Sequence, residues 1–304
     1  MEMKKKLYND LSSYLLSVFG KKVYKITIDA GLTCPNRLKG RGCIYCNDRG
    51  SGTGLMSKGY DIETQIKLGM DGLKRKYKNI GGYIAYFQSY TNTFAPIEVL
   101  EKNWSVIRMF DEIVGLSIGT RPDCLNNDIL ELINTFTDKY KVFLELGLQT
   151  IHEHYLKWIN RDHGVKEFID AVEMAKKYDF HIVAHVIIGF MGETHDDVIK
   201  LAKFLSNVGI DGVKIHLLYV AKHSPLEEEY YKGNFVPITR EKYVELVCAF
   251  LEHLKESIVI HRLTGDAHRG ELIAPDWSAD KAGVIKDITD TLLRRNSYQG
   301  KLWI

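Results

Sequence analysis

Two rhythms of apolar residues alternate along this chain. Short runs rich in β-branched and aromatic residues occur at 23–28, 83–87, 113–118, 142–146, 182–188 and 213–218. The first, Val-Tyr-Lys-Ile-Thr-Ile, alternates apolar and polar positions as a strand does. Between the runs, apolar residues recur at helical spacing: Ile62, Ile66, Met70 and Leu73; Ile97, Leu100, Trp104 and Ile107; Ile129, Leu132, Ile133 and Phe136; Phe168, Val172 and Ala175; Val198, Leu201, Phe204 and Leu205. An amphipathic helix over 7–19 precedes them. Six strands alternating with helices predict a parallel sheet with right-handed crossovers, an α/β fold of the partial TIM-barrel type, (β/α)6. After 220 the rhythm changes to a Glu- and Tyr-rich segment, a helix over 239–255, an extended run over 258–263 and a last helix over 279–295. The expected organisation is a barrel with its N-terminal helix over 1–220 and an α/β extension over 221–304 packed across the open side. No repeat or flexible linker marks a hard boundary between them.

Composition narrows the class. A chain of 304 residues, 45% hydrophobic, is long enough for one large domain with a buried core. Its formal net charge of +2 gives no bulk argument for nucleic acid. Local basic clusters stand at Lys4-Lys5-Lys6, at Lys74-Arg75-Lys76 with Lys78, and at Arg294-Arg295; on helices such clusters are most simply solvated faces. The absence of a bilayer-length apolar run and of a secretory signal points to a cytoplasmic protein with no membrane partner. In that reducing compartment five cysteines read as ligands and buried thiols, not disulfides. Cys248 fits a helix core, and Cys124, after an Arg-Pro-Asp turn, is read as structural.

Three of the cysteines carry the chemistry. Cys34-Pro-Asn-Arg-Leu-Lys-Gly-Arg-Gly-Cys43-Ile-Tyr-Cys46 is one Gly-rich loop directly after the first strand, ending in C-x-x-C. A structural zinc site normally closes with a fourth Cys or His, whereas an iron–sulfur cluster used as a reaction centre keeps one iron open. No fourth ligand follows at ribbon spacing, yet spacing alone leaves a zinc knuckle open beside a cluster. In a barrel the residues after each strand converge on one mouth. That brings Gln88, Thr120, Arg121, Gln149 and Gly189 toward the cysteine loop. His185 and His216 lie inside apolar strands and read as core histidines, while His163, His261 and His268 sit in polar phrases suited to substrate contact or proton transfer.

The C-x8-C-x2-C pattern resembles the cluster-binding loop of radical S-adenosylmethionine (SAM) enzymes, in the branch that includes the Elongator catalytic subunit. Gly119-Thr-Arg-Pro-Asp123, Glu145-Leu-Gly-Leu-Gln-Thr150, Asn160-Arg-Asp-His163 and Ile188-Gly-Phe-Met-Gly-Glu-Thr194 resemble segments of those enzymes in the same order. Tyr86-Phe-Gln-Ser-Tyr-Thr-Asn-Thr93, Val213-Lys-Ile-His-Leu-Leu218, His261-Arg-Leu-Thr-Gly-Asp266 and Ile273-Ala-Pro-Asp-Trp277 look like a bacterial family of single-domain iron–sulfur oxidoreductases. The resemblance implies a [4Fe–4S] cluster on Cys34, Cys43 and Cys46, S-adenosylmethionine as cofactor, and an electron donor of flavodoxin or ferredoxin type.

For the cofactor, Gln88 and Ser89 stand where the superfamily often holds the methionyl amine, though its glycine-rich phrase is absent here. The resemblance gives Glu145 or Gln149 to the ribose or carboxylate, Arg161 to a carboxylate, and the backbone of residues 186–189, with Ile188 and Gly189, to adenine. Arg121, His163, Arg262 and Asp266 are the expected substrate contacts. The implied substrate is tRNA, at the C5 side chain of the wobble uridine, plausibly converted from carboxymethylaminomethyl to aminomethyl; the chain lacks the acetyltransferase domain of Elongator, which fits removal of a group better than addition. The competing readings are a small-molecule oxidoreductase akin to oxygen-independent coproporphyrinogen oxidase and a zinc-stapled RNA-binding protein without catalysis. Oligomeric state is left open.

Overall fold

The computed structural model describes residues 6–50, 52–265, 267 and 270–303, so Lys4, Lys5, Asp266 and His268 of the readings above lie outside the described residues. The strands are β1 (Val23–Ile28), β2 (Gly82–Phe87), β3 (Ile113–Thr120), β4 (Lys141–Gln149), β5 (Phe180–Ile188), β6 (Gly212–Leu217), β7 (Val220–Ala221), β8 (Val259–Arg262) and β9 (Leu272–Ala274). One sheet runs in the order β1-β2-β3-β4-β5-β6-β8, and every neighbouring pair is parallel. All six expected strands are present, and the sheet gains a seventh. The extra one, β8, comes from the extended run after 258 and extends the sheet at its β6 edge instead of lying across the open side. β7 and β9 form a small antiparallel pair of their own.

Polar side chains reveal the curl of the sheet. Lys25 on β1 reaches Glu145 on β4 at 2.5 Å, although β2 and β3 lie between them, and Lys214 on β6 reaches the same carboxylate at 3.2 Å. Strands two places apart in a flat sheet cannot join side chains in this way, so the sheet closes around a lumen as a half-barrel. Lumen-facing residues alternate with outward ones, and the outward ones pack under the helices.

The helices are α1 (Leu11–Phe19), α2 (Pro35–Leu38), α3 (Ile62–Lys76), α4 (Ile97–Ser105), α5 (Asn127–Asn134), α6 (Glu153–Trp158), α7 (Val165–Ala175), α8 (His195–Val208), α9 (Pro225–Tyr231), α10 (Arg240–Glu252) and α11 (Lys281–Arg294). Their apolar stripes, such as Ile62, Ile66 and Met70 of α3 or Val198, Leu201 and Leu205 of α8, join one core with Ile26, Leu144 and Val213 of the sheet. Helix starts follow capping chemistry. Asp61, Thr194 and Thr239 accept backbone N–H groups at the heads of α3, α8 and α10. α1 begins later than the predicted residue 7 because Asp10 caps it through Ser13 N at 2.9 Å, while Leu7 O instead receives Gln299 N at 2.8 Å. Cys248 is a core thiol of α10.

The basic run at the end of α3 sits at the wrong end of the barrel for the site. Gly81 N donates to Lys22 O beside it, at the strands' N-terminal ends, whereas the cysteine loop follows the C-terminal end of β1.

Candidate active site

The loop after β1 is shaped by short-range hydrogen bonds. Cys34 precedes α2, its carbonyl accepting Arg37 N and Leu38 N, and Cys46 N closes a turn on Cys43 O at 2.9 Å. Two neighbours grip the loop from outside: Ile44 N donates to Ile159 O, and Leu226 N to Ile44 O. Asn160, held at φ 53°, donates from its side chain to Gly42 O at 2.8 Å. Asn36 returns the bond to Asn160 O at 2.6 Å and points the same amide at Cys43 Sγ, 3.4 Å away. Left-handed backbone at Asn160 and Asp162, with Gln149 at φ 74°, clusters strain around this one site.

Cys34, Cys43 and Cys46 line one cavity with about 710 Å³ of atom-free space, measured out to its mouth. Gln88, Arg121, Glu145, Gln149 and Arg161 line it too, so the ends of β1 to β4 do converge there. A second cavity of about 550 Å³ shares Tyr45, Gln88, Gln149 and His185 with the first and continues to His216 and Tyr219.

The other expected residues fare differently. Ser89 is buried against Gly52, where a Cβ would come within 1.7 Å of its hydroxyl, and it lines neither cavity. Ile188 points into the helix-covered core; by alternation along β5 it is Ile187 that lines the second cavity. Gly189 N–H is already committed to Glu193 at 2.6 Å. Glu145 accepts Lys25 and Ser117 on one oxygen and His185 and Lys214 on the other, so it is a lumen counter-ion with no oxygen reserved for a ribose. Arg121 lines the first cavity, and its guanidinium also anchors the loops around it: it holds Asp123 through two bonds of 2.8 and 2.7 Å and Arg161 O at 3.1 Å. His163 lines neither cavity; burial first, then the Arg161 charge, pushes its imidazole down to about 4. Arg262 bonds Thr264 O at 2.5 Å, and its charge reaches His216 and Lys214 from outside the cavity lining. His261 lies in the lumen beside His181, at 3.1 Å, and Phe143, away from the mouth.

Sequence reading missed Tyr86, His185, Lys214 and Arg37. Tyr86 donates to no exposed group but receives Lys214 Nζ at 2.8 Å, and both lysines lie over its ring. Burial alone would raise the Glu145 carboxyl, but Lys214, Lys25 and His185 hold it well below the usual carboxylate range. Burial lowers Lys214 to about 7 and His185 to about 4. The signal available in sequence was polar residues at alternate positions of buried strands, Lys25, Ser117, Glu145, His185 and Lys214.

The donor set fits a cluster. Burial, then neighbouring Cys43, pushes the Cys46 thiol up to about 12, with Arg37 opposing; a bound cation would favour the thiolate that a ligand must be. Among the cavity-lining residues there is no fourth cysteine, and the one imidazole, His185, is held by Glu145 at 2.7 Å. A half-barrel carrying three cluster thiols at its mouth defines a radical SAM enzyme. Residues 31–205 match the Radical SAM superfamily and residues 210–294 the Radical_SAM C-terminal domain, and the chain belongs to this superfamily. It is 37% identical over 301 residues to YtqA of Bacillus subtilis, covering 98% of this chain and 93% of that one. It is 24% identical over 221 residues to Elongator complex protein 3 of Schizosaccharomyces pombe, covering 67% of this chain and 40% of that one. The solved structure of archaeal Elp3 from Methanocaldococcus infernus superposes with a TM-score of 0.72 at 18% identity, over 91% of this chain and 64% of that one.

Membership settles the class: the protein is an enzyme, not a zinc-stapled binding module, and its cofactors are a [4Fe–4S] cluster and S-adenosylmethionine. Among the described residues no helix is long and apolar enough to cross a membrane. A cluster held by these three thiols would supply the one-electron reductive cleavage of S-adenosylmethionine that the superfamily uses. The chain's part is positional. Cys34, Cys43 and Cys46 would hold the cluster, Gln88 and Gln149 line the cavity beside them, and Glu145 ties β1, β5 and β6 together beneath it through Lys25, His185 and Lys214.

Glu193 shapes the turn after β5. Its carboxylate accepts Gly189 N–H and, at 3.3 Å, Phe190 N–H, yet burial pushes it up to about 8 from 4.5. A folded-state value raised above the unfolded one means that its stabilising contribution is complete below about 4.5 and is lost as pH rises through 8. Glu193→Gln offers the same acceptor without ionising. Its melting temperature relative to wild type should climb between pH 4.5 and 8; a difference that stays flat across that window in parallel thermal melts refutes this account.

Proposed function

We propose that this enzyme modifies the C5 side chain of the wobble uridine in tRNA, converting carboxymethylaminomethyl to aminomethyl uridine. The observation that carries the reading is the likeness to Elongator complex protein 3, in sequence across 67% of the chain and in fold across 91%. The resembled Elongator subunit works on that side chain. The mouth supports it. Lys39 and Arg41 on the cysteine loop are largely exposed, at 70% and 63%, and among the described residues they pair with the surface acids Asp162 and Glu228. Exposed pairs of this kind are worth little and exchange readily for phosphate oxygens. A donor of flavodoxin or ferredoxin type would deliver the electron at the same rim.

The test is nucleoside analysis of tRNA from a strain lacking the gene. Carboxymethylaminomethyl uridine should accumulate at the expense of aminomethyl uridine and nucleosides built from it. A wobble-uridine profile identical to the parent strain overturns the reading.

A further inference from the structure

We propose that Arg121 and Arg161 set the reduction potential of the cluster, each by placing a buried guanidinium against one ligand thiol. The inference rests on the cluster alone and is independent of which substrate the enzyme takes. Arg161 Nη1 lies 3.6 Å from Cys43 Sγ and Arg121 Nη1 4.0 Å from Cys34 Sγ. Both side chains are nearly sealed from solvent, at 7% and 2% exposure.

The two are fixed in place by their other bonds. Arg161 Nη2 donates to Gly147 O at 2.8 Å, and Gly147 is what lets it lie there, since a Cβ on that residue would come within 2.5 Å of Nη2. Arg121 is locked by Asp123 and by Arg161 O, so one arginine braces the segment carrying the other. Arg161 Nε is buried without a hydrogen-bond partner, an N–H left over in the cluster cavity. Neither group has the freedom of a ligand that closes on a diffusing substrate.

The electrostatic consequence has a definite sign. Reduction adds negative charge to the cluster, and a buried cation or an N–H donor directed at a ligand sulfur favours the more negative state. Water does not screen these two arginines, so their effect is larger than that of a surface charge at equal distance. They are positioning residues, acting through the thiolates on the ease of electron entry. Asn36, whose amide also points at Cys43 Sγ, acts in the same direction without a charge.

The experiment is an EPR-monitored redox titration of the anaerobically reconstituted full chain, with iron and sulfide measured on each sample. For Arg161→Gln the reduced-to-oxidised ratio at a fixed potential should fall about tenfold, which for a one-electron couple is a midpoint lower by about 59 mV. Arg121→Gln combined with Asp123→Asn removes the second cation together with the carboxylate that pairs with it and should shift the midpoint the same way. A variant with the full iron and sulfide content and an unchanged midpoint overturns the proposal. So does loss of iron from both variants while circular dichroism stays that of the wild type, because the arginines would then serve assembly of the loop and not its potential.

Discussion

Cys43→Ala leaves the protein folded and unable to form 5′-deoxyadenosine. The residue is the middle ligand of the loop, 5% exposed, and its sulfur receives both Asn36 and Arg161. Removing it leaves two thiolates for the cluster and strands a buried guanidinium opposite an alanine. The loss should be complete, in contrast to the drop of about 10- to 100-fold usual when only an outer hydrogen-bond partner of a metal ligand is removed. Iron and sulfide analysis with a dithionite-driven cleavage assay reads both effects, and cleavage at the wild-type rate in this variant would falsify the assignment of the loop.

The second large effect is on stability. Glu145→Ala takes away the one carboxylate that Lys25, Lys214 and His185 share, leaving the buried Lys214 amine and the part-buried Lys25 ammonium without their counter-ion. Removing one side of a buried ion pair costs about 3–5 kcal/mol. For a chain of this size that is a fall in melting temperature on the order of 6–10 °C. Replacing the whole group by apolar residues, Glu145→Leu with Lys25→Met and Lys214→Met, should recover most of the loss, since a buried ionic network is rarely better than well-packed hydrocarbon of the same volume. If the single variant melts with the wild type, the network is not what holds the lumen.

Local pattern carried most of the architecture. The first six strands were legible from β-branched runs, and the loop chemistry from the spacing of Cys34, Cys43 and Cys46. What local pattern could not carry was contact across the lumen. Lys25, Glu145 and Lys214 are far apart in sequence and sit on strands that are not neighbours, so nothing short of the curled sheet brings them together. The same holds for Arg121 and Arg161, whose partners Cys34 and Cys43 are 87 and 118 residues away. β8 escaped as a sheet member because it is four residues long and half of it is the polar pair His261-Arg262. Which of Ile187 and Ile188 turns its side chain to the cavity was likewise illegible: β4 carries an irregularity between Gly147 and Gln149 where it pairs with β5, and counting from either strand alone does not reveal which face is inward.

α1 packs beneath the sheet, touching both β1 and β8, with Leu15 among Val23, Ile84 and Phe143 and the Tyr14 ring 4.6 Å from that of His181. Among the described residues the half-barrel is thus stoppered at its floor, and the cluster cavity lies at the cysteine-loop end. Reactants that share a single doorway cannot come and go independently. Whichever binds deepest must arrive first and depart last, so turnover is expected to follow a compulsory order of addition, visible as one substrate's saturation governing the apparent affinity for the other.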